Sequence, residues 1–536
     1  MVQRQPLRIL ILGGGFGGVY AAMALGRRLG RDPGVEITLV NRENYLVFQP
    51  LLPEVIAGSI GILHPIIPIR RLCPRVRLYT REVEEIDLHS RTVITSPGVH
   101  HQATTLHYDH LVVALGNTTR FGEVPGLQEH AFPFKYLGDA LGLRNHVLHA
   151  LEEAAVEPDP DVRQSLLTFV VAGGGFSGVE VAAELNDFVR RAATNYPDIR
   201  SDEIRVVLAQ GGARILPELS DSLASFAHKI LLRRKVDVRL GTRIAGATAE
   251  FAILNTGEKI RTRTLVSTVP MGAHPLLAAL PWGMEKGRVV VDEFLQVAGH
   301  PGVWAVGDCA WSLNAATGQP HPPTAQHALR QGQCVAANIV ATLSGSPRAP
   351  FAFSALGQMG ALGAHSAVGD VMGVKVSGLL AWFMWRGIYL MKIPGMDRKL
   401  RVAMDWLLDL LLPPDIVQLK TARPAGIERQ HFEPGQVIFS EGDVGDLVYT
   451  IVKGEVEVLR EGLREPPRTL AQLGPGQWFG ETALVGRAPR NATVRALKPL
   501  DVLTLDREGF NSLFTHVRPL HQFFSDLIRE RSGVSG

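Results

Sequence analysis

The segment LRILILGGGFGG at residues 7–18 decides the fold of this chain. Its first half predicts a buried strand of a parallel sheet, and its second half predicts a tight glycine turn of the pattern G-x-G-x-x-G. A helix is predicted at Val19–Leu29 and a second strand at Val35–Val40. Such a turn lets a pyrophosphate approach the backbone, and the N-terminus of the helix attracts its charge. This unit is therefore predicted to bind a dinucleotide. Its glycines are Gly13, Gly15 and Gly18.

The same pattern returns later in the chain, where GGGFSGV at 173–179 repeats GGGFGGV at 13–19. A strand is predicted before it at Leu166–Ala172, with a helix at Glu180–Ala192 and a strand at Ile204–Ala209 after it. A single glycine pattern can be a chance turn, but two copies in matching strand–loop–helix settings favour two bound dinucleotides. The glycines of the second copy are Gly173, Gly175 and Gly178.

Asn41 and Gln210 follow the second strand of each copy, where such folds usually place a carboxylate for the ribose hydroxyls. An amide binds a hydroxyl group without repelling a 2′-phosphate. Gln210, with Arg214 nearby, therefore predicts tolerance of NADPH beside NADH. The open alternative is that both amides serve only as weaker ribose ligands.

Composition and charge exclude several classes of protein. The chain has 536 residues, 46% of them apolar and 20% charged, so it is not globally disordered. Its net charge of +3 argues against a general nucleic-acid coat. Its 3 cysteines form no C-x-x-C pair, which excludes a disulfide scaffold and four-cysteine zinc or iron–sulfur sites. A reducing intracellular compartment fits best, and no metal site is predicted.

Further motifs in chain order carry a resemblance to a known family. Val303–Asp308 predicts a short strand that ends in Gly-Asp, and Leu111–Gly116 predicts a matching strand and turn. With the two glycine motifs, roughly the first 420 residues resemble type II NADH dehydrogenases, the single-chain, non-pumping NADH:quinone oxidoreductases. The other segments that carry this resemblance are FQPLL at 48–52, GGGFSGVE at 173–180, ILP at 215–217 and PTAQ at 323–326, which continues to Gln331.

The resemblance implies FAD at the first glycine motif, NAD(P)H at the second and a quinone as the electron acceptor. It places Gln326 and Gln331 beside the quinone headgroup and Glu180 near nicotinamide and flavin, as the catalytic residues. Arg330 stands where the family often has another glutamine, so the details of the quinone pocket stay open. The implied FAD residues are Gly13, Gly15, Phe16, Gly18, Asn41, Arg42, Gly116 and Asp308, and the implied NAD(P)H residues are Gly173, Gly175, Gly178 and Gln210.

The rival enzymes of this fold depend on cysteine. Disulfide reductases need a C-x-x-C or C-x4-C beside the flavin, and the chain has neither. Sulfide:quinone oxidoreductases need reactive cysteines, for which Cys309 and Cys334 are candidates, although buried inert thiols are the more common case. Sulfide:quinone reduction therefore stays the runner-up. A redox or nucleotide sensor with incidental flavin turnover is the alternative of a different class.

Residues 376–420 predict two helices that lie on a membrane surface. Leu379–Ile393 is strongly apolar and contains two tryptophans, but it is shorter than the ~20 residues that span a bilayer, and it carries Arg386. A second helix is predicted at Asp397–Leu412. Its polar stripe is Arg401, Asp405 and Asp409, and its apolar face is Leu400, Ala403, Leu407 and Leu411. Such helices fit a surface-lying anchor near the quinone. Burial against the flavin domain or in a dimer interface is the alternative.

From about residue 425 the chain changes to short Val- and Ile-rich strands between Gly and Pro turns, which predicts a small β-roll. Strands are predicted at Val437–Phe439, Leu447–Val452 and Glu455–Leu459. FGETAL at 479–484 and RAPRNATV at 487–494 resemble the phosphate-binding cassette of cyclic-nucleotide-binding domains. Glu481 can accept the ribose hydroxyl, and Arg490 can pair with the phosphate of cAMP or cGMP. The implied site residues are Gly480, Glu481, Arg490 and Asn491. An unliganded structural module is the alternative, and a terminal helix or two are predicted within Leu513–Arg531.

The expected fold is α/β, with two Rossmann-like dinucleotide-binding domains of a flavoprotein reductase, amphipathic membrane-associating helices and a C-terminal β-roll cyclic-nucleotide-binding domain. The expected protein passes electrons from NAD(P)H through FAD to quinone under regulation by a cyclic nucleotide. It is expected to be peripheral on the cytoplasmic face of the cell membrane, to bind no nucleic acid and, since the family often dimerises, to be a candidate homodimer. The expected limits are 1–165 and 285–375 for the two parts of the FAD domain, 166–284 for the NAD(P)H domain, 376–420 for the helices and 425–536 for the β-roll.

Overall fold

The computed structural model describes residues 6–97, 103–119, 124–268, 271–315, 317–419, 427–443, 447–460, 468–481 and 490–506. Its α-helices are α1 (Phe16–Arg28), α2 (Leu52–Ala57), α3 (Ile69–Leu72), α4 (Leu127–His130), α5 (Leu137–Val156), α6 (Pro160–Leu166), α7 (Phe176–Ala193), α8 (Asp221–Arg233), α9 (Pro275–Ala278), α10 (Ala325–Ser344), α11 (Gly378–Lys392) and α12 (Met396–Asp409). Short 3-10 turns lie at Gln49–Leu51 and Gly307–Cys309.

The first parallel sheet combines two separated parts of the chain. Its strands in spatial order are Val303–Ala305, His110–Val113, Leu7–Leu12, Val35–Asn41 and Arg77–Thr80. The predicted strand Leu7–Leu12 lies at the centre, because its aliphatic side chains are buried on both faces. Helices α1 and α10 cross so closely that a Cβ on Gly332 would lie 2.2 Å from the carbonyl oxygen of Gly17. The carboxyl ends of the central strands therefore meet the first glycine turn at one edge of the sheet.

The second parallel sheet repeats this plan. Its strands in spatial order are Ala131–Pro133, Thr264–Ser267, Thr168–Ala172, Arg205–Gln210 and Val236–Leu240. The central strand begins two residues after the predicted start because Leu166 ends α6. Helix α7 follows the second glycine turn, as predicted, and holds Glu180 in its second turn.

Smaller sheets and the two apolar helices complete the first 420 residues. The sheets are Tyr45–Val47 with Ile66–Pro68, Val83–Asp87 with Thr92–Thr95 and Thr104–His107, Thr118–Thr119 with Met271–Gly272, Ile244–Ala247 with Phe251–Leu254 and Lys259–Arg261, Met284–Glu285 with Arg288–Val290 and Ala310–Trp311, and Gly357–Ala361 with Ala367–Val371 and Val374–Ser377. Helices α11 and α12 lie within three residues of their predicted limits. Within the described residues, each helix falls short of the length or the apolar character that a bilayer span requires.

The C-terminal part is the predicted β-roll, built from two antiparallel sheets. One contains Ile427–Phe432, Leu500–Asp506, Leu447–Lys453 and Trp478–Phe479, and the other contains Val437–Phe439, Thr493–Ala496, Val456–Arg460 and Arg468–Leu473. Alternating buried residues such as Val456, Val494 and Val502 form its own small core. The predicted cassette positions 482–489 and the predicted terminal helix at Leu513–Arg531 lie outside the described residues.

Candidate functional site

A cavity of about 490 Å³ lies at the carboxyl edge of the first sheet, against the first glycine turn. It brings together most of the residues predicted for FAD: Gly13, Gly15, Phe16, Asn41, Arg42, Gly116 and Asp308 line it. Gly18 does not line the cavity, because it packs behind the turn: a Cβ there would lie 1.9 Å from the carbonyl oxygen of Gly13. A Cβ on Gly15 would meet nothing within 4 Å. The turn is therefore tightly packed on the side of Gly18 and open on the side of Gly15, where a pyrophosphate could approach the backbone.

The amide of Asn41 braces this turn. Its Oδ1 accepts a hydrogen bond from the Gly14 amide at 2.7 Å, and its Nδ2 donates to the carbonyl of Glu43 at 2.8 Å. Gln210 does the same in the second copy, where its Oε1 accepts from the Gly174 amide at 3.1 Å. Both amides therefore stabilise the glycine turns, and their contact with ribose stays a prediction.

Arg214, the residue behind the predicted NADPH tolerance, already has partners. Its guanidinium pairs with Asp221 and donates to the carbonyl of Pro217 at 2.9 Å. A 2′-phosphate would have to compete with these contacts. The second turn is otherwise built like the first, since a Cβ on Gly178 would lie 1.7 Å from the oxygen of Gly173.

A half-buried lysine that the sequence patterns did not indicate lies in the wall of the FAD cavity. Lys135 donates through Nζ to the carbonyl of Asn117, and to its Oδ1 at 3.0 Å. The Asn117 amide in turn lies 3.5 Å from Oδ2 of Asp308. Burial lowers the pKa of Lys135 and raises the pKa of Asp308, and their mutual attraction opposes both shifts. An ammonium group at this wall fits a ligand that carries phosphate. The cavity residues thus fit FAD.

The half-buried side chain of Glu180 projects from α7 toward strand Gly357–Ala361. Its Oε1 accepts a hydrogen bond from the Ala361 amide at 3.0 Å. Burial raises the pKa of this carboxyl to about 8, the Ala361 hydrogen bond opposes the shift, and the nearby carboxyl of Glu54 adds to it. A carboxyl group with this pKa is largely protonated at neutral pH, and the role of Glu180 beside nicotinamide and flavin stays a prediction.

A second buried carboxyl, Glu54 on α2, was missed by the sequence analysis. Its Oε2 accepts from Nε1 of Trp406 at 2.7 Å, and Nη2 of Arg386 lies 3.8 Å from Oε1. The guanidinium of Arg386 stacks over Trp382, 3.9 Å from the ring centre. Burial raises the pKa of Glu54 and also that of Glu184 on α7. The arginine in the middle of the apolar helix thus points into the protein.

The two predicted quinone glutamines occupy different settings. Gln326 donates through Nε2 to the carbonyl of Gly357 at 2.9 Å, while its Oε1 is buried without a partner among the described residues. Gln331 accepts from the Gly307 amide at 2.7 Å and donates to Ser312 Oγ at 3.0 Å. Gln326 therefore has one buried polar atom without a partner among the described residues, whereas Gln331 holds the turn that carries Asp308. Arg330 stacks over Phe353 instead of entering this site.

The cysteines are poor candidates for redox chemistry. Cys309 is buried and Cys334 is half-buried. Burial raises the pKa of each thiol to about 11, so both thiols are protonated at neutral pH. This arrangement does not favour the sulfide:quinone alternative.

The β-roll brings three of its four predicted site residues together. The guanidinium of Arg490 donates to the carbonyl of Gly480 at 2.5 Å and to that of Leu447 at 2.7 Å. It stacks over Phe439 at 4.1 Å. Glu481 is buried beside Gly480, whereas Asn491 is exposed. A buried arginine and a buried carboxyl at one turn are suited to recognise a phosphate and a hydroxyl.

Family comparisons agree with this division of the chain. Residues 7–332 match the pyridine nucleotide-disulphide oxidoreductases, 356–412 match the NDH2 C-terminal domain and 429–516 match the cyclic nucleotide-binding domain. Two glycine turns on two parallel sheets, together with the first match, define a flavoprotein reductase with two dinucleotide sites. The chain belongs to the type II NADH:quinone oxidoreductase family, and the member from Staphylococcus epidermidis is 30% identical over 382 residues, 70% of this chain and 92% of that protein. The predicted resemblance is thereby confirmed.

A further relative and two solved structures are also similar to this chain. A probable NADH dehydrogenase from Dictyostelium discoideum is 28% identical over 392 residues, 71% of this chain and 85% of that protein. NDH2 from Plasmodium falciparum in complex with NADH has a TM-score of 0.71 at 19% identity, covering 77% of this chain and all of that chain. The sulfide:quinone oxidoreductase of Aquifex aeolicus reaches 0.57 at 17% identity, over 72% and 90% of the two chains. These two structures share the fold. Membership of the family makes the chain an FAD-dependent NADH:quinone oxidoreductase.

Proposed function

We propose that this enzyme works at a membrane surface and that a cyclic nucleotide bound to its β-roll regulates its turnover. FAD bound in the cavity supplies two-electron redox chemistry between NADH and the quinone. Glu180 is the proposed proton donor to the quinone, and Gln326 is the residue proposed to position the quinone headgroup. The observation that carries this proposal is one chain in which a reductase of this family is followed by a β-roll with a buried Glu481 and Arg490.

The proposed membrane surface is the outer face of α11 and α12. The two aspartates of the polar stripe of α12 point inward, whereas Arg401 is exposed. Asp405 accepts from the Gly61 amide at 2.9 Å and contacts His64, and Asp409 pairs with Arg191 at 3.0 Å. The tryptophans of both helices are buried, but many of the other apolar side chains point outward. The exposed ones include Leu379, Leu380, Phe383, Met391, Leu400, Met404, Leu407, Leu408 and Leu411. An apolar face of this size favours a lipid surface, and the cytoplasmic face is proposed because NADH is supplied there.

Leu407→Asp with Leu411→Asp is expected to release the enzyme from lipid vesicles. The two leucines are 53% and 74% exposed, and each contributes about 1.5 kcal/mol if lipid covers it, so two charges should weaken binding by more than about tenfold. Leu343→Asp, at a leucine 39% exposed on α10, is the matched control. Co-sedimentation with vesicles measures the effect. Equal sedimentation of both variants would contradict the proposed surface, and a change in oligomeric state alone would assign it to a second copy of the chain.

Arg490→Gln is expected to weaken cAMP or cGMP binding by about 30-fold and to abolish the response of turnover to the nucleotide. The reason is the loss of the positive charge that we assign to phosphate recognition, a contact that contributes roughly 2 kcal/mol. Arg495→Gln is the matched control, since Arg495 pairs with Glu457 at 2.6 Å on a neighbouring strand. Calorimetry measures binding. If Arg490→Gln bound cAMP or cGMP as tightly as the wild type, the assignment of the nucleotide site to Arg490 would be wrong.

A further inference from the structure

Among the described residues, the β-roll contacts the short helix α4 of the reductase. Strand Ile427–Phe432 lies against α4, where Nε of Arg429 is 3.3 Å from Oε1 of Glu129. Nε2 of His130 lies 2.8 Å from the carbonyl oxygen and 3.1 Å from the amide nitrogen of His431. One ring nitrogen thus either donates to the carbonyl or accepts from the amide, according to the tautomer of His130. The contact is polar and specific.

Asp501 of the β-roll stabilises the two residues, Arg429 and His431, that contact α4. Asp501 accepts from Arg429 at 3.2 Å through Oδ2, and its Oδ1 lies 2.6 Å from Nδ1 of His431. Asp501 belongs to strand Leu500–Asp506, which is paired along its whole length with the strand that carries Arg429. A shift of this strand pair would therefore move both contacts to α4 together.

The reductase side of the contact is equally constrained. Leu127 and Ala131 are buried in the same core as strands Thr168–Ala172 and Arg205–Gln210 of the second parallel sheet. A Cβ on Gly126 would lie 1.9 Å from the carbonyl oxygen of Ala247 and 3.1 Å from Cδ2 of His431, so the turn before α4 is packed from both sides. α4 therefore cannot follow the β-roll without displacing the chain on either side of it.

A second tie joins the approach to the β-roll to α5. The side chain of Asn145 donates to the carbonyl of Leu419 at 2.9 Å and accepts from its amide at 3.0 Å. Arg144 binds the carbonyls of Asp415 and Ile56. The segment 415–419, which precedes the β-roll in the chain, is thus attached to α5. The stretch 131–136 connects α5 to α4, which contacts the β-roll itself.

That connecting stretch carries Lys135 into the FAD cavity. The start of α5 is fixed by Asp139, whose Oδ2 accepts from the amides of Lys135 and Tyr136 at 2.8 and 2.7 Å. Lys135 is five positions after His130 and reaches Asn117, the neighbour of Asp308. A rigid, short connection therefore runs from the β-roll contact to the wall of the flavin site.

We propose that the contact of α4 with strand Ile427–Phe432 couples the β-roll to the flavin cavity through residues 131–135. The regulatory use of this coupling rests on the proposed nucleotide regulation. The coupling itself does not, because breaking the contact should displace Lys135 and change FAD binding with no nucleotide present. The contact thus gives the β-roll a direct influence on cofactor affinity.

The test is a double-mutant cycle on the full chain with Glu129→Gln and Arg429→Gln, read as the FAD dissociation constant and the visible flavin spectrum without nucleotide. Each single change should alter the FAD dissociation constant by about threefold to tenfold. The double variant should alter it by less than the product of the two single fold-changes. Lys498→Gln removes an exposed ion pair with Glu455 elsewhere on the β-roll and should leave both readouts at wild-type values. His130→Gln tests the same contact without changing charge.

Wild-type FAD affinity and spectrum in Glu129→Gln, Arg429→Gln and His130→Gln would overturn the coupling. Altered affinity in a chain whose wild-type form does not respond to cAMP or cGMP would support the coupling and refute the proposed regulation. A wild-type response that these variants lose, together with altered FAD affinity, would support both.

Discussion

Glu180→Gln is expected to slow quinone reduction by about 100-fold or more while leaving flavin reduction by NADH nearly intact. A positioned general acid contributes roughly 10²–10⁴ in rate. The amide of glutamine keeps the shape of Glu180 but has no proton acidic enough to transfer to the quinone. The two half-reactions can be followed separately by anaerobic stopped-flow absorbance. Glu153→Gln, at an exposed carboxylate on α5, is the control. Equal slowing of both half-reactions would assign Glu180 a structural role instead.

The pH dependence of the quinone half-reaction should follow the same carboxyl. The pKa of Glu180 is raised to about 8, so its proton is present below that pH and is lost above it. The rate should therefore fall as pH rises through about 8, and Glu180→Gln should lack this fall. The same shift lowers stability as pH rises from about 4.5 to 8, because the unfolded carboxyl ionises there while the buried one stays protonated. A flat wild-type profile through pH 8 would contradict the proposed donor.

Gly18→Ala and Gly15→Ala are expected to abolish FAD binding for different reasons. The new methyl group at Gly18 would lie 1.9 Å from the oxygen of Gly13, which should destabilise the turn by about 3 kcal/mol. At Gly15 the methyl group meets no protein atom within 4 Å and would only obstruct the pyrophosphate. Thermal unfolding without FAD should thus distinguish the two variants: the unfolding temperature of Gly15→Ala should be near that of the wild type, and that of Gly18→Ala should be lower. Equal destabilisation of both variants would contradict this account of the turn.

The features that the sequence predicts well are those with local causes. The apolar run of Leu7–Leu12 and its glycine turn predict a central strand and a helix because both depend on neighbouring residues. The same holds for strand Val437–Phe439 and for the repeat at 173–179. The strand at Leu166 starts late because α6 uses that residue, a boundary that depends on the preceding helix.

The features that the sequence does not predict depend on residues far apart in the chain. Glu54 becomes a buried carboxyl only because Trp406 and Arg386, more than 300 positions later, cover it. Lys135 shows no pattern of its own and is identified only by its position in the cavity wall. The polar stripe with Asp405 and Asp409 is visible in the sequence, but its inward direction depends on partners on other helices. Gln331 likewise turns toward Gly307 because the short turn there needs an acceptor.

The most direct test of cyclic-nucleotide regulation measures NADH oxidation with a soluble quinone, with and without cAMP and cGMP, on the purified full-length chain and on Arg490→Gln. We expect turnover of roughly 1–10³ per second that a cyclic nucleotide changes in the wild type but not in the variant. Fast turnover that neither nucleotide alters, although calorimetry detects binding, would contradict the proposed regulation and leave the β-roll a docking module.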